Sequence, residues 1–229
     1  MFHLKRLGAV VAAAALAVGV ATSASPASAS TAGYGSCSIV APKTLAITTP
    51  YQAVSLKLGS DCINNGVDYA SWDLYHPTQG WNGITIFDGT TTDIWDVYDW
   101  DLTPGSRYTW RASSAYDLDY NDIAQNDAYT DVKLGSYATL ATSRSGSYVT
   151  LYTKTARYST DSNSFVRWAA PRGTVQYYGP SGWTYLRYAY QNTSGVSSYK
   201  VYAPKGRSYR VVFPSSSIVW GSTTKGMYR

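Results

Sequence analysis

The chain has 229 residues and a formal charge of +5, with 22 Tyr, 8 Trp, 2 Cys, 2 His and 14 acidic residues, every one of them Asp. So many aromatic and hydroxylated residues, with few helix formers, favour strand over helix and argue against a helical bundle. The charge is divided. Residues 30–131 hold thirteen Asp against Lys43, Lys57, Arg107 and Arg111, a balance of −9, and residues 132–229 hold thirteen Lys or Arg against Asp161 alone, a balance of +12.

The chain opens with a basic segment (His3, Lys5, Arg6), an apolar run from Leu7 to Val20 and the small-residue stretch Ser25-Pro26-Ala27-Ser28-Ala29. This is the grammar of a secretory signal, with cleavage expected after Ala29, so residues 1–29 are read as a signal peptide and the product as secreted and extracellular. A retained anchor is the alternative. The apolar run is short for a bilayer, and nothing later approaches the roughly 18–20 apolar residues of a membrane helix, so no membrane insertion is expected. Cys37 and Cys62 suit that compartment and are expected to form a disulfide tying the N-terminal strand to the next one, worth about 3 kcal/mol in the chain-entropy account. They lack the C-x-x-C spacing of a reactive thiol pair.

Along residues 30–131, Val54-Ser55-Leu56-Lys57-Leu58 alternates apolar and polar as a half-buried strand does. Trp72-Asp73-Leu74-Tyr75 and Ile84-Thr85-Ile86-Phe87 repeat the pattern, with Gly80, Gly83 and Asp88-Gly89 marking turns. Pro104-Gly105-Ser106-Arg107-Tyr108 reads as a turn feeding a strand, and Tyr108 stands where sandwich domains place a corner tyrosine. Along residues 132–229 the pattern is cleaner. Ala138–Thr142, Val149–Leu151, Val175–Tyr178, Trp183–Tyr190, Val196–Tyr202, Tyr209–Phe213 and Ile218–Trp220 are seven expected strands, parted by Gly or Pro turns at the spacing of an all-β sandwich. Pro104 to Tyr108 recurs faintly as Pro204 to Tyr209, which fits two related sandwiches in tandem.

The second module resembles the immunoglobulin-like modules of secreted proteins from high-GC Gram-positive bacteria. The resemblance rests on Arg144 to Tyr158, Val175-Gln176-Tyr177, Trp183-Thr184-Tyr185-Leu186, Ser208-Tyr209-Arg210-Val211-Val212 and the closing Trp220-Gly221-Ser222-Thr223. It is best over about residues 137–229 and loose in the first module. It implies fold and not activity, and it brings no catalytic residues. The expected architecture is all-β: two tandem immunoglobulin-like antiparallel sandwiches, an acidic one with the disulfide over 30–131 and a basic one over 132–229.

No catalytic residues are assigned. The one His beyond the signal, His76 in Tyr75-His76-Pro77, reads as a solvated turn residue, which leaves a Ser or Cys nucleophile without a base. Pairs of Asp could serve glycoside hydrolysis, but nothing separates an acid from a base among them, so a polysaccharide-active enzyme is an alternative and a non-enzyme the first reading. No cofactor is expected, except that Asp93, Asp96, Asp99 and Asp101, and Asp117, Asp119 and Asp122, crowd two segments as calcium ligands do. The segment from Asp117 starts like an EF-hand loop but lacks its Gly and its terminal Glu. A solvated acidic surface, or contact with the basic module, are the other readings of these clusters. In the basic module Trp183, Tyr185 and Arg187 are expected on one strand face and Arg210 opposite the core set Tyr209, Val211 and Phe213, a combination suited to sugars and anions. The expected partner is an anionic cell-wall polymer or polysaccharide. A protein bound by a secreted inhibitor or effector is the alternative, and export disfavours nucleic acid.

Overall fold

The structure is a computed structural model that describes residues 35–229. The expected export signal lies outside the described residues. In chain order the first part holds β1 (Ser36–Val40), β2 (Thr44–Ile47), β3 (Tyr51–Leu58), the short helix α1 (Ser60–Asn64), β4 (Val67–His76), β5 (Gly80–Asp88), β6 (Thr92–Tyr98), β7 (Ser106–Asp117), β8 (Ala124–Asn126) and β9 (Ala128–Leu134). The second part holds β10 (Ser136–Ser145), β11 (Tyr148–Ser159), β12 (Ser164–Arg167), β13 (Gly173–Gly179), β14 (Gly182–Ala189), β15 (Val196–Tyr202), β16 (Ser208–Phe213), β17 (Ser222–Thr223) and β18 (Met227–Tyr228).

These strands make four sheets, two in each part. The first pair is ordered β6-β3-β1-β8 and β2-β9-β7-β4-β5. In the second pair, β10 lies along one edge of β11 while β12 and β15 share its other edge, and the facing sheet runs β14-β13-β16 with β17 and β18 beyond β16. All pairings within the named strands are antiparallel except β1 with β8 and β2 with β9. The molecule is therefore all-β, two tandem sandwiches, as the period-two pattern requires.

Alternation decides which side chains form each core. In β7, Tyr108 and Trp110 point inward and are fully buried, and in β4 Trp72 and Leu74 do the same. The rings meet edge to face, Trp72 on Phe87 at 5.9 Å and Trp95 on Trp110 at 5.1 Å between centroids. Each such ring contributes on the order of 1.5–3 kcal/mol by leaving water, provided its N–H is satisfied. Trp72 Nε1 donates to the Asn126 carbonyl at 3.0 Å and Trp110 Nε1 to Thr130 Oγ1 at 3.1 Å. In the second sandwich Val149, Leu151, Val175, Tyr209, Val211 and Phe213 are buried, while Arg210 points away from that core as expected.

The corner tyrosine is present: Thr103 N–H donates to Tyr108 Oη at 2.8 Å. Its counterpart in the repeat, Tyr209, is equally buried, but its Oη has no partner. Cys37 and Cys62 form the disulfide, with Cα atoms 4.3 Å apart. It ties β1 to α1 rather than to the next strand: Asp61 stands in the first turn of this helix, where a carboxylate is favoured, and Asn65-Gly66 ends it after one turn with Gly66 at positive φ.

The two sandwiches are joined by Gly135 alone, between the last residue of β9 and the first of β10. A side chain there would meet the exposed Thr48 methyl at 2.4 Å and the Ile47 carbonyl at 3.2 Å, so a larger residue requires Thr48 to move. Its N–H donates to the Ile47 carbonyl and its carbonyl accepts from Tyr158 N–H, both at 2.8 Å. The segment Ile218–Trp220, expected as a strand, instead makes a single parallel bridge, Val219 with Leu134. Its backbone groups go to the first sandwich: Leu134 N–H donates to the Ile218 carbonyl and Trp220 N–H to the Leu134 carbonyl, both at 2.9 Å. Trp220 Nε1 donates to the Leu45 carbonyl at 2.8 Å, and Lys133 Nζ caps the Ser216 carbonyl at 2.8 Å. A buried side-chain pair completes the junction, Tyr158 Oη donating to Asp99 at 2.8 Å.

Candidate functional site

The acidic side chains mostly serve the protein's own hydrogen bonding. Asp93 on β6 accepts from Thr85 Oγ1, from Ile86 N–H at 3.2 Å and from Ile94 N–H at 2.8 Å. Asp96 accepts from Tyr51 Oη at 2.7 Å, and that bond raises the Tyr51 phenol. Asp99 is only 3% exposed, against Tyr158, while Asp101 is exposed in the turn after β6. Asp117 closes its own turn, accepting from Asp119 N–H, Asn121 N–H and Asn121 Nδ2 at 2.9–3.0 Å. The Asn121 amide holds that carboxyl below its ordinary value. Asp119 and Asp122 are exposed, the latter in a lone bridge with Tyr116. Among the described residues no group of three or more His, Cys, Asp or Glu side chains converges as metal ligands would.

His76 is not a solvated turn residue. It ends β4, is buried, and packs 5.1 Å from the Tyr108 ring. Its Nδ1 accepts from Thr78 N–H at 3.3 Å and Gln79 N–H at 3.0 Å, so the proton sits on Nε2 and is donated to Ser106 Oγ at 2.8 Å. An imidazole in that tautomer cannot take a proton from Ser106. Pro77 suggested an exposed turn, but the tertiary packing of Tyr108 covers the ring.

In the second sandwich Trp183, Tyr185 and Arg210 lie on the outer face of β13–β14–β16. The Arg210 guanidinium sits 4.3 Å from the Trp183 ring centroid and its Nε donates to Gln176 Oε1 at 2.7 Å. Tyr178 packs on Trp183 at 5.4 Å, and Tyr185 is exposed opposite Gln176. Arg187 leaves that row. A β-bulge gives Val175 Arg187 as its partner and Gln176 Tyr185, so Leu186 is the extra residue and the alternation resets. Arg187 is thereby aligned with buried Val175 and lies over the Tyr199 ring, 4.5 Å away, at the rim.

Sequence reasoning passed over the other sheet. On the outer face of β10–β11–β12–β15 a groove of ≈ 520 Å³ is lined by Tyr137, Tyr152, Lys154, Phe165, Arg167 and Val196, among others. Tyr137 packs on Phe165 at 5.1 Å, and Phe165 on Tyr158 at 5.8 Å. The alternating Tyr148, Thr150, Tyr152 and Lys154 of β11 carried the signal, a strand whose polar face is aromatic and basic rather than merely solvated.

Across the second sandwich six cations lie on aromatic rings: Lys154 on Tyr152, Arg172 on Tyr188, Arg187 on Tyr199, Lys200 on Tyr148, Arg207 on Tyr177 and Arg210 on Trp183, at 4.0–5.7 Å. None of them has a carboxylate partner. Among the described residues the one salt bridge is Arg107 with Asp131, in the first sandwich. No described helix is long and apolar enough to cross a membrane.

No family model matches the chain, and no curated protein does. Among solved structures, the fibronectin(III)-like modules of Clostridium thermocellum CbhA align at 9% identity and a TM-score of 0.35, over 84% of this chain and 90% of that one. The chicken CNTN1 FN1-FN3 domains align at 9% identity and 0.32, over 83% and 64%. Bovine butyrophilin aligns at 10% identity and 0.29, over 84% and 98%. These likenesses are of β-sandwich architecture alone, and the fold stands on the sheets themselves.

Proposed function

We propose that the chain is a secreted, non-enzymatic binding protein whose basic second sandwich, residues 136–229, contacts a cell-surface or polysaccharide polyanion. The observation that carries this reading is the set of six cation–aromatic pairs with no carboxylate to neutralise them. A positive charge over a ring keeps its attraction for an incoming anion while the ring offers a flat apolar face to a sugar. The disulfide fits an oxidising exterior, and the His76 tautomer supports a non-catalytic role. Co-sedimentation with purified cell walls or immobilised polyanion is the test: binding at low salt that weakens at high salt supports the reading, and no binding at low salt refutes it.

A second reading concerns the first sandwich. Trp81 and Trp100 are 59% and 68% exposed, and Trp100 stacks on Tyr98 at 4.8 Å beside the acidic end of β6. Exposed tryptophans of this kind anchor protein partners. A secreted inhibitor or effector using them is expected to return one stoichiometric partner on capture, with that capture lost on Trp100→Ala.

A further inference from the structure

We propose that the outer face of the sheet β10–β11–β12–β15 is the site for an extended anionic polysaccharide lying along β11. This rests on the polyanion reading above and gives it a location and a direction. Cross-strand partners project from the same face, so the register fixes what this face presents. From the junction outward its rows are Tyr158 with Phe165, Tyr137 with Ala156 and Arg167, Thr139 with Lys154 and Val196, Tyr152 with Ser198, Thr150 with Lys200, and Tyr148 with Tyr202. At the rise of a strand the eight steps from Ala156, next to the end closed by buried Tyr158, to Tyr148 span about 27 Å, enough for several sugar units end to end.

The floor and walls follow from side-chain size. Ala156 is the small residue between Tyr137 and Arg167, which makes the hollow, and the Tyr137–Phe165 contact walls it near the first sandwich. Tyr158, pinned by Asp99, backs Phe165 and closes that end. The cations Arg167, Lys154 and Lys200 then follow one another along the strand, and the last two lie 5.7 Å and 4.7 Å from the rings of Tyr152 and Tyr148. The sandwich's one acid, Asp161, lies in the β11–β12 turn and pairs with none of them.

The same features choose among occupants. β11 is bonded along both edges, so the face has no free backbone to receive an added strand. Its rings cluster at the two ends, Tyr137 with Phe165 and Tyr148 with Tyr202, and cations stand between them where a protein interface has its apolar centre. A neutral glycan would leave three cations unanswered. A linear polymer with apolar sugar faces and repeated negative charge meets rings and cations together.

Titration calorimetry on the chain beginning at Ser30 tests this, with polygalacturonate, dextran sulfate and neutral dextran as probes. The comparison is among wild type, Tyr152→Ala/Lys154→Gln, Trp183→Ala/Arg210→Gln on the opposite sheet, and Lys57→Gln on the first sandwich as a charge control. The groove variant is expected to lose at least about tenfold in affinity for the anionic polymers, as removal of a hot-spot ring does, and to lose more than the Trp183/Arg210 variant. Neutral dextran is expected not to bind. Lys154→Gln/Lys200→Gln, at exposed positions, covers the case in which loss of Tyr152 disturbs folding, and it is expected to reduce the salt dependence. If wild type binds no polyanion, the broader function fails as well. If the Trp183/Arg210 variant loses more, or every variant including Lys57→Gln loses equally, the function survives and this site is overturned. Self-association of wild type that the groove variant abolishes, without polysaccharide binding, would assign the face to the acidic sandwich of a second copy and overturn the proposal.

Discussion

Tyr158→Phe removes one oxygen from the junction between the sandwiches, and its effect can be worked out from the atoms around it. Tyr158 and Asp99 are 1% and 3% exposed and share a 2.8 Å hydrogen bond. The Asn163 amide, with its nitrogen turned inward, offers Asp99 a second donor at 3.0 Å. Deleting the phenol leaves the carboxylate with that donor alone, and a hydrogen bond to a charged group is worth about 1.5–3 kcal/mol. For a domain of this size that lowers Tm by roughly 3–12 °C. Burial first, and then the bond to Asp99, push the Tyr158 phenol up to about 12. A phenol that holds its proton more tightly when folded stabilises fully below its unfolded value of 10 and loses that contribution as pH rises from there towards about 12. Melting wild type and Tyr158→Phe by circular dichroism at neutral pH, and then through the alkaline window, should show a gap that narrows as pH climbs. Equal melting temperatures at neutral pH, or a gap indifferent to pH, would refute the reasoning.

The two related tyrosines should respond oppositely. Tyr108→Phe takes the acceptor from the half-buried Thr103 N–H and is expected to cost about 1 kcal/mol, whereas Tyr209→Phe deletes a hydroxyl without a partner and should be neutral or stabilising, both read by urea unfolding. Reducing Cys37–Cys62, which closes a separation of 25 residues, should cost about 3–4 kcal/mol, seen as an earlier urea midpoint in the Cys37→Ser/Cys62→Ser variant. Because Asp93, Asp96, Asp99 and Asp117 bond to protein donors and the acidic side chains do not converge among the described residues, chelator is expected to leave the melting temperature unchanged; a rise in excess calcium would return a metal to the acidic segments.

Period-two alternation made most of the fold legible. Leu56 and Leu58, Trp72 and Leu74, and Tyr209, Val211 and Phe213 each marked a strand and its buried face before any pairing was known. What escaped depended on partners distant in sequence. β2, β6, β8 and β9 were not expected as strands, the acidic β6 being read as a metal-binding segment, and β12, β17 and β18 have four, two and two residues and show no alternation of their own. Ile218–Trp220 has the composition of a strand, yet its partner is the end of β9 in the other sandwich. The bulge that turns Arg187 away has no mark in Trp183-Thr184-Tyr185-Leu186, since an extra residue is defined by the strand opposite. The groove was missed for a related reason. Lys154, Arg167 and Tyr137 are scattered along the chain and become neighbours only through the register of β10, β11 and β12.

The single-glycine connection also bears on how the molecule is made. With Gly135 as the whole linker and Trp220 bonded to Leu45, 175 positions earlier, the second sandwich has no closed boundary of its own. Synthesis runs from the N-terminus, so the carbonyls of Leu45 and Leu134 are in place before residues 216–220 arrive to meet them. The first sandwich thus acts as the mould on which the last loop of the second is cast. A fragment cut at Gly135 would leave the Trp220 indole without its acceptor and the Ile218 carbonyl without its donor, so the shortest unit expected to behave as native spans both sandwiches.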